Sequence, residues 1–278
     1  MARLSKPELL AKVEEAIRAS GWNLLYISTG HPRRYAIYKD DLSAIIKVYI
    51  WNITHGGKSR AADEYRIQIT GVSEFDPEPD GRTFLLGWWD DVGVFAGWDI
   101  RQHLGTLGAS PSMQISEHAL RQALLTGLGP YTKSNGETAI AFRPDFMGAY
   151  LESVEALHDI GRIPSEAKLL GRLGEAPEAV GDDAIEHEIA GDRRVAVVST
   201  RRALRAIDFS ARVLTAYSNR CAMCGIQLRL IEGAHILPVA APGSTDQTCN
   251  GVALCVLHHR AYDRGLGPVA EVVGIGLA

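Results

Sequence analysis

Cys-Ala-Met-Cys (221–224), Gly-Ala-His-Ile-Leu-Pro (233–238), Asn250 and Cys-Val-Leu-His-His-Arg-Ala-Tyr-Asp (255–263) are the segments that decide how the C-terminal part of this chain folds. A pair of metal-ligand residues stands at each end of this stretch. Between them lie a histidine and an asparagine, and a second histidine follows. This order of residues indicates a small module that a bound metal stabilises around a group of polar side chains.

The outer residues form two pairs with the same spacing. Cys221 and Cys224 are separated by two residues, and so are Cys255 and His258. Three cysteines and one histidine suit a closed, tetrahedral structural zinc site. The alternatives are chance pairs or a disulfide, but no secretory segment favours oxidation. We therefore predict structural zinc, and we expect Cys249, outside both pairs, to be a small buried residue.

The inner residues have the composition of a catalytic set. His235 lies in an apolar run that predicts a short strand, and Asn250 opens a segment that predicts a turn leading into a helix. His259 and Asp263 are four residues apart on that helix, so their side chains share one face. A histidine and a carboxylate there are able to hold a divalent cation with open positions. A histidine facing that metal is able to deprotonate water for attack on a phosphate.

The arrangement resembles the HNH endonuclease family, whose fold is the ββα-metal module, over about residues 205–267. By that resemblance His235 is the general base, and Asn250 braces the loop between the two strands and orients His235. His259 ligates the catalytic metal, and Asp263 stands where many members have another ligand. The zinc pairs lie where zinc-containing members have theirs. The sequences around Phe209–Tyr217 and Ala261–Gly265 look like the restriction-type branch.

One position departs from the pattern of many family members. These have Asp or His just before the general base as a further metal ligand, whereas this chain has Ala234. The resemblance then leaves the metal to His259, Asp263, phosphate and water, with Glu232 as a further candidate. The alternative for His235 is a histidine satisfied within the core.

Length and composition describe an ordinary globular chain. It has 278 residues, 46% of them hydrophobic and 22% charged, which is enough for two domains with separate cores. No run of eighteen apolar residues is present, so no membrane span is expected. The first residues are polar and lack an apolar signal core. A reducing cytoplasm is the simplest setting.

The charge distribution is uneven. The net charge of −4 does not indicate nucleic-acid binding, but residues 201–278 contain eight Arg, no Lys and five acidic residues. Arg suits bidentate contact with phosphate. Arg229, Arg260 and Arg264 are the candidate DNA contacts because they are close in sequence to the predicted site. The alternative is a solvated basic face.

We predict an α+β protein with two domains. Residues 1–163 begin with a helix at 7–19 and continue with short strands, which predicts a mostly antiparallel, curved sheet. Residues 164–200 are acidic and glycine-punctuated, and we interpret them as a linker with some helix. Residues 201–278 hold the HNH module, and the segment after Gly267 has the pattern of one strand.

The N-terminal domain contains no convincing catalytic set, but it is rich in aromatic residues. Trp51, Trp88, Trp89 and Trp98 lie in strand-like segments. We expect most of them to form a core, and the alternative is a pocket for a flipped or modified base. A sheet-rich domain joined to a small HNH module looks like the layout of bacterial restriction enzymes, and this predicts DNA recognition by residues 1–163.

The resemblance implies a metal-dependent DNA endonuclease, and the layout favours a restriction enzyme. Mg²⁺ or Mn²⁺ suits this chemistry, although histidine ligation leaves nickel or cobalt open. One module cuts one strand, so cleavage of double-stranded DNA predicts a homodimer. A nuclease toxin and a non-catalytic, zinc-held DNA-binding regulator remain as alternatives. The recognition sequence and any requirement for a modified base stay open.

Overall fold

The computed structural model of the chain describes residues 3–57, 60–191 and 193–265. The chain divides into two compact units, Met1–Leu204 and Arg205–Ala278. Within the described ranges, no helix is both long and apolar enough to cross a membrane. The strand predicted after Gly267 lies outside the described residues.

The two units contain helices and strands in the following order along the chain. The helices are α1 (Lys6–Ala19), α2 (Glu117–Thr126), α3 (Met147–Gly161), α4 (Pro164–Glu175), α5 (Asp182–Glu188), α6 (Arg193–Ala216) and α7 (Val256–Asp263). The strands are β1 (Asn23–Tyr26), β2 (Arg33–Lys39), β3 (Leu42–His55), β4 (Glu64–Gln68), β5 (Glu74–Phe75), β6 (Gly81–Trp89), β7 (Val94–Trp98), β8 (Gly105–Thr106), β9 (Ser112–Ser116), β10 (Leu128–Thr132), β11 (Thr138–Phe142), β12 (Ile231–His235) and β13 (Gly251–Cys255).

The first unit is built on one large sheet. Its strand order is β1-β2-β3-β6-β7-β11-β10, and β4 pairs with β3 and β9 with β4. The pairing of β3 with β6 is parallel, and the other pairings described in this sheet are antiparallel. β3 is long because its sequence is rich in β-branched and aromatic residues. The predicted α+β class with a mostly antiparallel sheet is confirmed.

The tryptophans of this sheet belong mainly to its core. Trp51, Trp88, Trp89 and Trp98 are all at most 5% exposed. Burial of one aromatic side chain contributes on the order of 1.5–3 kcal/mol to folding. These four tryptophans therefore belong to the core of the sheet, as expected.

The segment 164–200, expected to be a linker with some helix, is folded against the first unit. Leu169, Leu170 and Leu173 follow helical spacing on α4 and are fully buried, and α4 contacts β10 and α3. Glu166 is buried as well and pairs with Arg193 at 2.8 Å. Because these leucines fill the core, the acidic segment is counted with the first unit, which ends at Leu204.

The second unit contains a two-stranded hairpin followed by a helix. β12 and β13 pair antiparallel, with His235 opposite Gly251, and α7 contacts both strands. This is the ββα arrangement that the resemblance implies. The prediction that Asn250 leads from a turn into a helix was wrong, because β13 intervenes. Its Val-Ala-Leu run suits either state, and pairing with β12 decided between them.

Two glycines allow α6 to pack closely on one face of the hairpin. A Cβ atom at Gly251 would lie 2.1 Å from Cγ2 of Val213, and one at Gly233 would lie 2.9 Å from Cα of Ser210. Val213 and Phe209 of α6 are buried here together with Ala253 of β13. The opposite face of the hairpin packs around the cysteine cluster. The hairpin is therefore covered on both faces.

Candidate functional site

The four predicted zinc ligands lie together. Their ligand atoms are all within 4.8 Å of one another. Nδ1 of His258 is 3.4 Å from Sγ of Cys221 and 3.2 Å from Sγ of Cys255, and Sγ of Cys224 is 3.9 Å from Sγ of Cys255. Two sulfur atoms bound 2.3 Å from a tetrahedral zinc are about 3.8 Å apart. The set fits structural zinc, and a disulfide is excluded because all four cysteines of the chain are free.

The local electrostatics favour a thiolate in this cluster. Burial alone would raise the pKa of the Cys221 thiol. Hydrogen bonds from the backbone N–H groups of Cys255, Cys224 and Met223 outweigh burial and lower that pKa to about 6. The thiolate is the form that binds metal. The backbone around the cluster therefore favours the thiolate form that zinc binds.

His235 ends strand β12 and lies on the face that α6 covers. Its ring stacks on Phe209 with a centroid separation of 3.8 Å and an angle of 10° between planes. Its Nε2 is 3.0 Å from Oδ1 of Asp246. Among the described residues, no hydrogen-bond partner of Nδ1 is found. The stacking contact with Phe209 and the contact of Nε2 with Asp246 thus fix the imidazole, and Nδ1 remains available.

Asp246 is the residue of this site that sequence reasoning missed. Its carboxylate accepts a hydrogen bond from Arg205 at 2.5 Å, and its backbone oxygen accepts one from Arg212 at 2.6 Å. Burial alone would raise the pKa of Asp246, but the hydrogen bonds from His235 and Arg205 outweigh it and lower that pKa. One signal was available in the sequence. Asp246 is the one carboxylate between Glu232 and Asp263.

Asn250 ties together the loop that joins the two strands. Its Oδ1 accepts from the N–H of Leu237 at 2.8 Å, and its Nδ2 donates to the backbone oxygens of Leu237 and Thr245 at 3.2 and 2.9 Å. The N–H of Ile236 donates to the backbone oxygen of Asn250 at 2.8 Å. Asn250 therefore contacts both ends of the loop that contains Asp246.

His259 stands between two carboxylates, one at each ring nitrogen. Its Nδ1 is 2.7 Å from Oε2 of Glu232, and its Nε2 is 3.8 Å from Oδ2 of Asp263. A carboxylate on one nitrogen orients the ring and leaves the other nitrogen for a metal. Asp263 is the more exposed of the two, at 62% of its side chain. One imidazole nitrogen and one open carboxylate make a donor set that fits a divalent ion.

The end of α7 contacts the end of β12. By strand alternation His235 and Glu232 lie on opposite faces of β12. However, α7 runs back along the hairpin, and Oη of Tyr262 donates to the backbone oxygen of Ile236 at 2.6 Å. Ile236 directly follows His235, and Asp263 directly follows Tyr262. This contact brings the end of α7 to the end of β12.

The three arginines predicted to contact DNA are exposed, as is Cys249. Arg229, Arg260 and Arg264 all lie at the surface of the second unit. Throughout the described ranges, no carboxylate pairs with Arg260 or Arg264.

Cys249 was expected to be buried, and that prediction was wrong. It lies in the exposed turn before Asn250, where no core side chain covers it.

Comparison with known families gives two matches. Residues 221–267 match the family described as HNH endonuclease, and residues 45–151 match the family described as Methylase-associated X1. No curated protein and no solved structure matches the chain. The resemblance to HNH endonucleases is thereby confirmed for the C-terminal module and supports nuclease activity there. The description of the second family points to a restriction–modification context.

Proposed function

We propose that this protein is a metal-dependent endonuclease that hydrolyses phosphodiester bonds of double-stranded DNA and serves as a restriction enzyme. The observation that supports it best is that two histidine–carboxylate contacts, His235 with Asp246 and His259 with Asp263, occur inside the segment that matches the HNH endonucleases.

His235 is the general base in this proposal. Asp246 has a lowered pKa, so it is ionised near neutral pH and only accepts hydrogen bonds. The hydrogen between the two residues therefore belongs to Nε2 of His235, and in the neutral imidazole Nδ1 is the acceptor nitrogen. Nδ1 is then the atom that takes a proton from the attacking water. Stacking on Phe209 limits rotation of the ring during that transfer.

His259 and Asp263 are the proposed ligands of the catalytic ion, Mg²⁺ or Mn²⁺. When bound, that ion stabilises the charge that develops on the phosphate and the leaving oxygen. Glu232 holds Nδ1 of His259, so Nε2 faces Asp263. Glu232 thereby orients the ligand. Ala234 is buried in the zinc-side cluster and contributes no ligand atom.

The first unit is the proposed DNA-recognition part. The support is the match of residues 45–151 to a family described as methylase-associated. A restriction enzyme works beside a methylase and distinguishes DNA by its modification. We propose that Arg260 and Arg264 contact phosphates near the cut, and that two copies act together so that both strands are cleaved.

The test is nicking of supercoiled plasmid with Mg²⁺ or Mn²⁺. Wild type is compared with His235→Ala and with His118→Ala, an exposed histidine of the first unit as matched control. We expect cleavage by wild type and His118→Ala, and loss of cleavage in His235→Ala. Plasmids with and without cytosine methylation test whether modification controls cleavage.

The same assay separates the alternatives. Zinc-bound protein that binds DNA and never cuts it would contradict the nuclease proposal and favour a regulator. Cleavage that ignores sequence and modification, and that a small acidic co-purifying protein abolishes, would favour a toxin. Cleavage retained in His235→Ala would overturn the assignment of the base.

A further inference from the structure

Some backbone groups of strand β3 form hydrogen bonds with side chains and not with a neighbouring strand. β2 pairs with β3 only as far as Val48. Two residues further on, the N–H of Ile50 donates to Nε2 of His31 at 2.9 Å, and Nζ of Lys6 donates to the backbone oxygen of Ile50 at 2.5 Å. Lys6, at the start of α1, thereby satisfies a backbone oxygen of β3 that lies beyond the end of the β2 pairing.

Lys6 is a half-buried cation without a counter-charge. Its Nζ lies 3.3 Å from Nε2 of His31 and 4.1 Å from the centre of the Trp51 ring. No carboxylate of the described residues pairs with it. His31 does not balance the charge, because Nε2 accepts the Ile50 N–H and the ring is neutral. An anion beside Nζ would offset the cost of burying the charged form of Lys6.

The surroundings of Lys6 have space for such a partner. Lys6 lines a cavity of about 210 Å³ together with Arg3, Trp51, Gln68 and Thr70. A water molecule occupies about 30 Å³, so this volume admits a larger group. Arg3 is exposed, and within the described ranges no acidic side chain pairs with it. No acidic residue lines this cavity. Two cations therefore border one space.

A second cavity adjoins the one that Lys6 lines. It measures about 190 Å³ and shares Arg3, Asn52 and Thr54 with the first. Its wall includes the rings of Tyr65 and Trp89, whose centroids are 4.6 Å apart. Asp90 and Asp91 line this second cavity as well, so an anion belongs on the side of Lys6 and Arg3, and a base, which stacks on an aromatic face, belongs on the side of Tyr65.

We propose that Lys6 and Arg3 form a binding site for a phosphate group of DNA, with the attached nucleoside directed toward Tyr65. The statement that the phosphate belongs to DNA rests on the proposed function. The statement that the site binds a phosphate group rests on Lys6 and Arg3 and is independent of that function. Arg supplies a bidentate contact, and Lys supplies a point charge. Burial lowers the pKa of Lys6 to about 7, and a bound phosphate would favour its protonated form.

The first test measures thermal unfolding of the full chain in inorganic phosphate and in chloride at equal ionic strength. Lys6→Met is compared with wild type and with Lys12→Met. Lys12 is the matched control, because it lies on the same helix and 5.6 Å over the Trp88 ring but lines neither cavity. At ten times the dissociation constant we expect phosphate to raise the melting temperature by about 3 °C. Lys6→Met should lose this rise, and Lys12→Met should keep it.

The second test separates DNA from free phosphate. Binding of a short duplex to the three proteins is followed against salt concentration. Loss of one phosphate contact should lower the slope of log K against log salt by about 0.9 in Lys6→Met, equally for all sequences. An unchanged slope together with a lost phosphate response would overturn DNA as the ligand and leave a free phosphate.

Equal phosphate responses in all three proteins would overturn the site. If Lys6→Met does not fold, Arg3→Gln replaces it, because Arg3 is exposed and supports no described contact. Plasmid cleavage by the same variants tests the proposed function separately from the phosphate site. A wild type that never cuts but responds to phosphate through Lys6 would refute the nuclease and retain the site.

Discussion

Asp246→Asn changes one atom of the side chain and removes the negative charge beside His235. Asp246 lies 3.0 Å from Nε2 of His235 and 2.5 Å from Arg205. Asparagine fits the same space, but it offers an NH₂ group as well as an oxygen. Arg205 favours the amide oxygen, which directs the NH₂ toward His235. His235 would then accept at Nε2 and carry its proton at Nδ1, the wrong nitrogen for a base.

The size of the effect follows from these contacts. A hydrogen bond to a charged group contributes about 1.5–3 kcal/mol, and each 1.36 kcal/mol corresponds to a tenfold change in rate. We therefore expect kcat to fall by about 10- to 150-fold in Asp246→Asn. KM should change little, because Asp246 is engaged by His235 and Arg205 and is not free to contact DNA. Partial loss of folding would also lower the apparent kcat at unchanged KM, so kcat is calculated per folded protein.

The assay is steady-state cleavage of a labelled duplex, with kcat and KM determined separately. Asp145→Asn is the matched control, because Asp145 pairs with Arg143 in the first unit and contacts neither His235 nor the arginines that hold Asp246. Asp246→Glu should recover part of the lost kcat, since it restores the charge. The reasoning is refuted if Asp246→Asn cleaves as fast as wild type, or if Asp145→Asn loses as much.

Three further predictions test the fold and its charges. Cys255→Ser should remove a zinc ligand, so bound zinc should fall from one per chain to near zero by atomic absorption, and cleavage should be lost; retained zinc would contradict the Cys₃His site. Gly251→Ala places a Cβ atom 2.1 Å from Val213 and should lower the free energy of unfolding by about 1–3 kcal/mol in urea titration, whereas Gly171→Ala, with open space around it, should not. For Lys6 the ordinary pKa is 10.5 and the folded value about 7, so between these pH values the unfolded chain binds the proton and the folded chain does not. Stability should therefore rise with pH across that window relative to Lys6→Met, and parallel pH profiles of the two proteins would contradict it.

The contrast between the two acid–histidine contacts shows what sequence spacing is able to predict. His259 and Asp263 are four residues apart, and one turn of helix is enough to place them on one face. Asp246 is eleven residues from His235, in a loop without regular periodicity. Its position depends on Arg205 and Arg212 of α6, which are distant in sequence. No local pattern contains that information.

The strand after Asn250 illustrates the same limit. Its apolar run suits a helix and a strand equally, and only pairing with β12 distinguishes them. The acidic segment 164–200 was ambiguous for a related reason. Its leucines have helical spacing, but the surface of β10 and α3 that buries them is contributed by other parts of the chain.

The sequence by itself determined the Cys₃His set that fits zinc, the α+β class and the resemblance to HNH endonucleases, because short spacings and residue types set these properties locally. Tertiary structure decided that Asp246 contacts His235, that Glu232 contacts His259, and that Lys6 lies over Trp51 with no carboxylate partner among the described residues. Each of these contacts joins residues whose distance in space is independent of their distance along the chain. The packing of hydrophobic faces sets such distances, and the polar partners then follow from where the backbone has been placed.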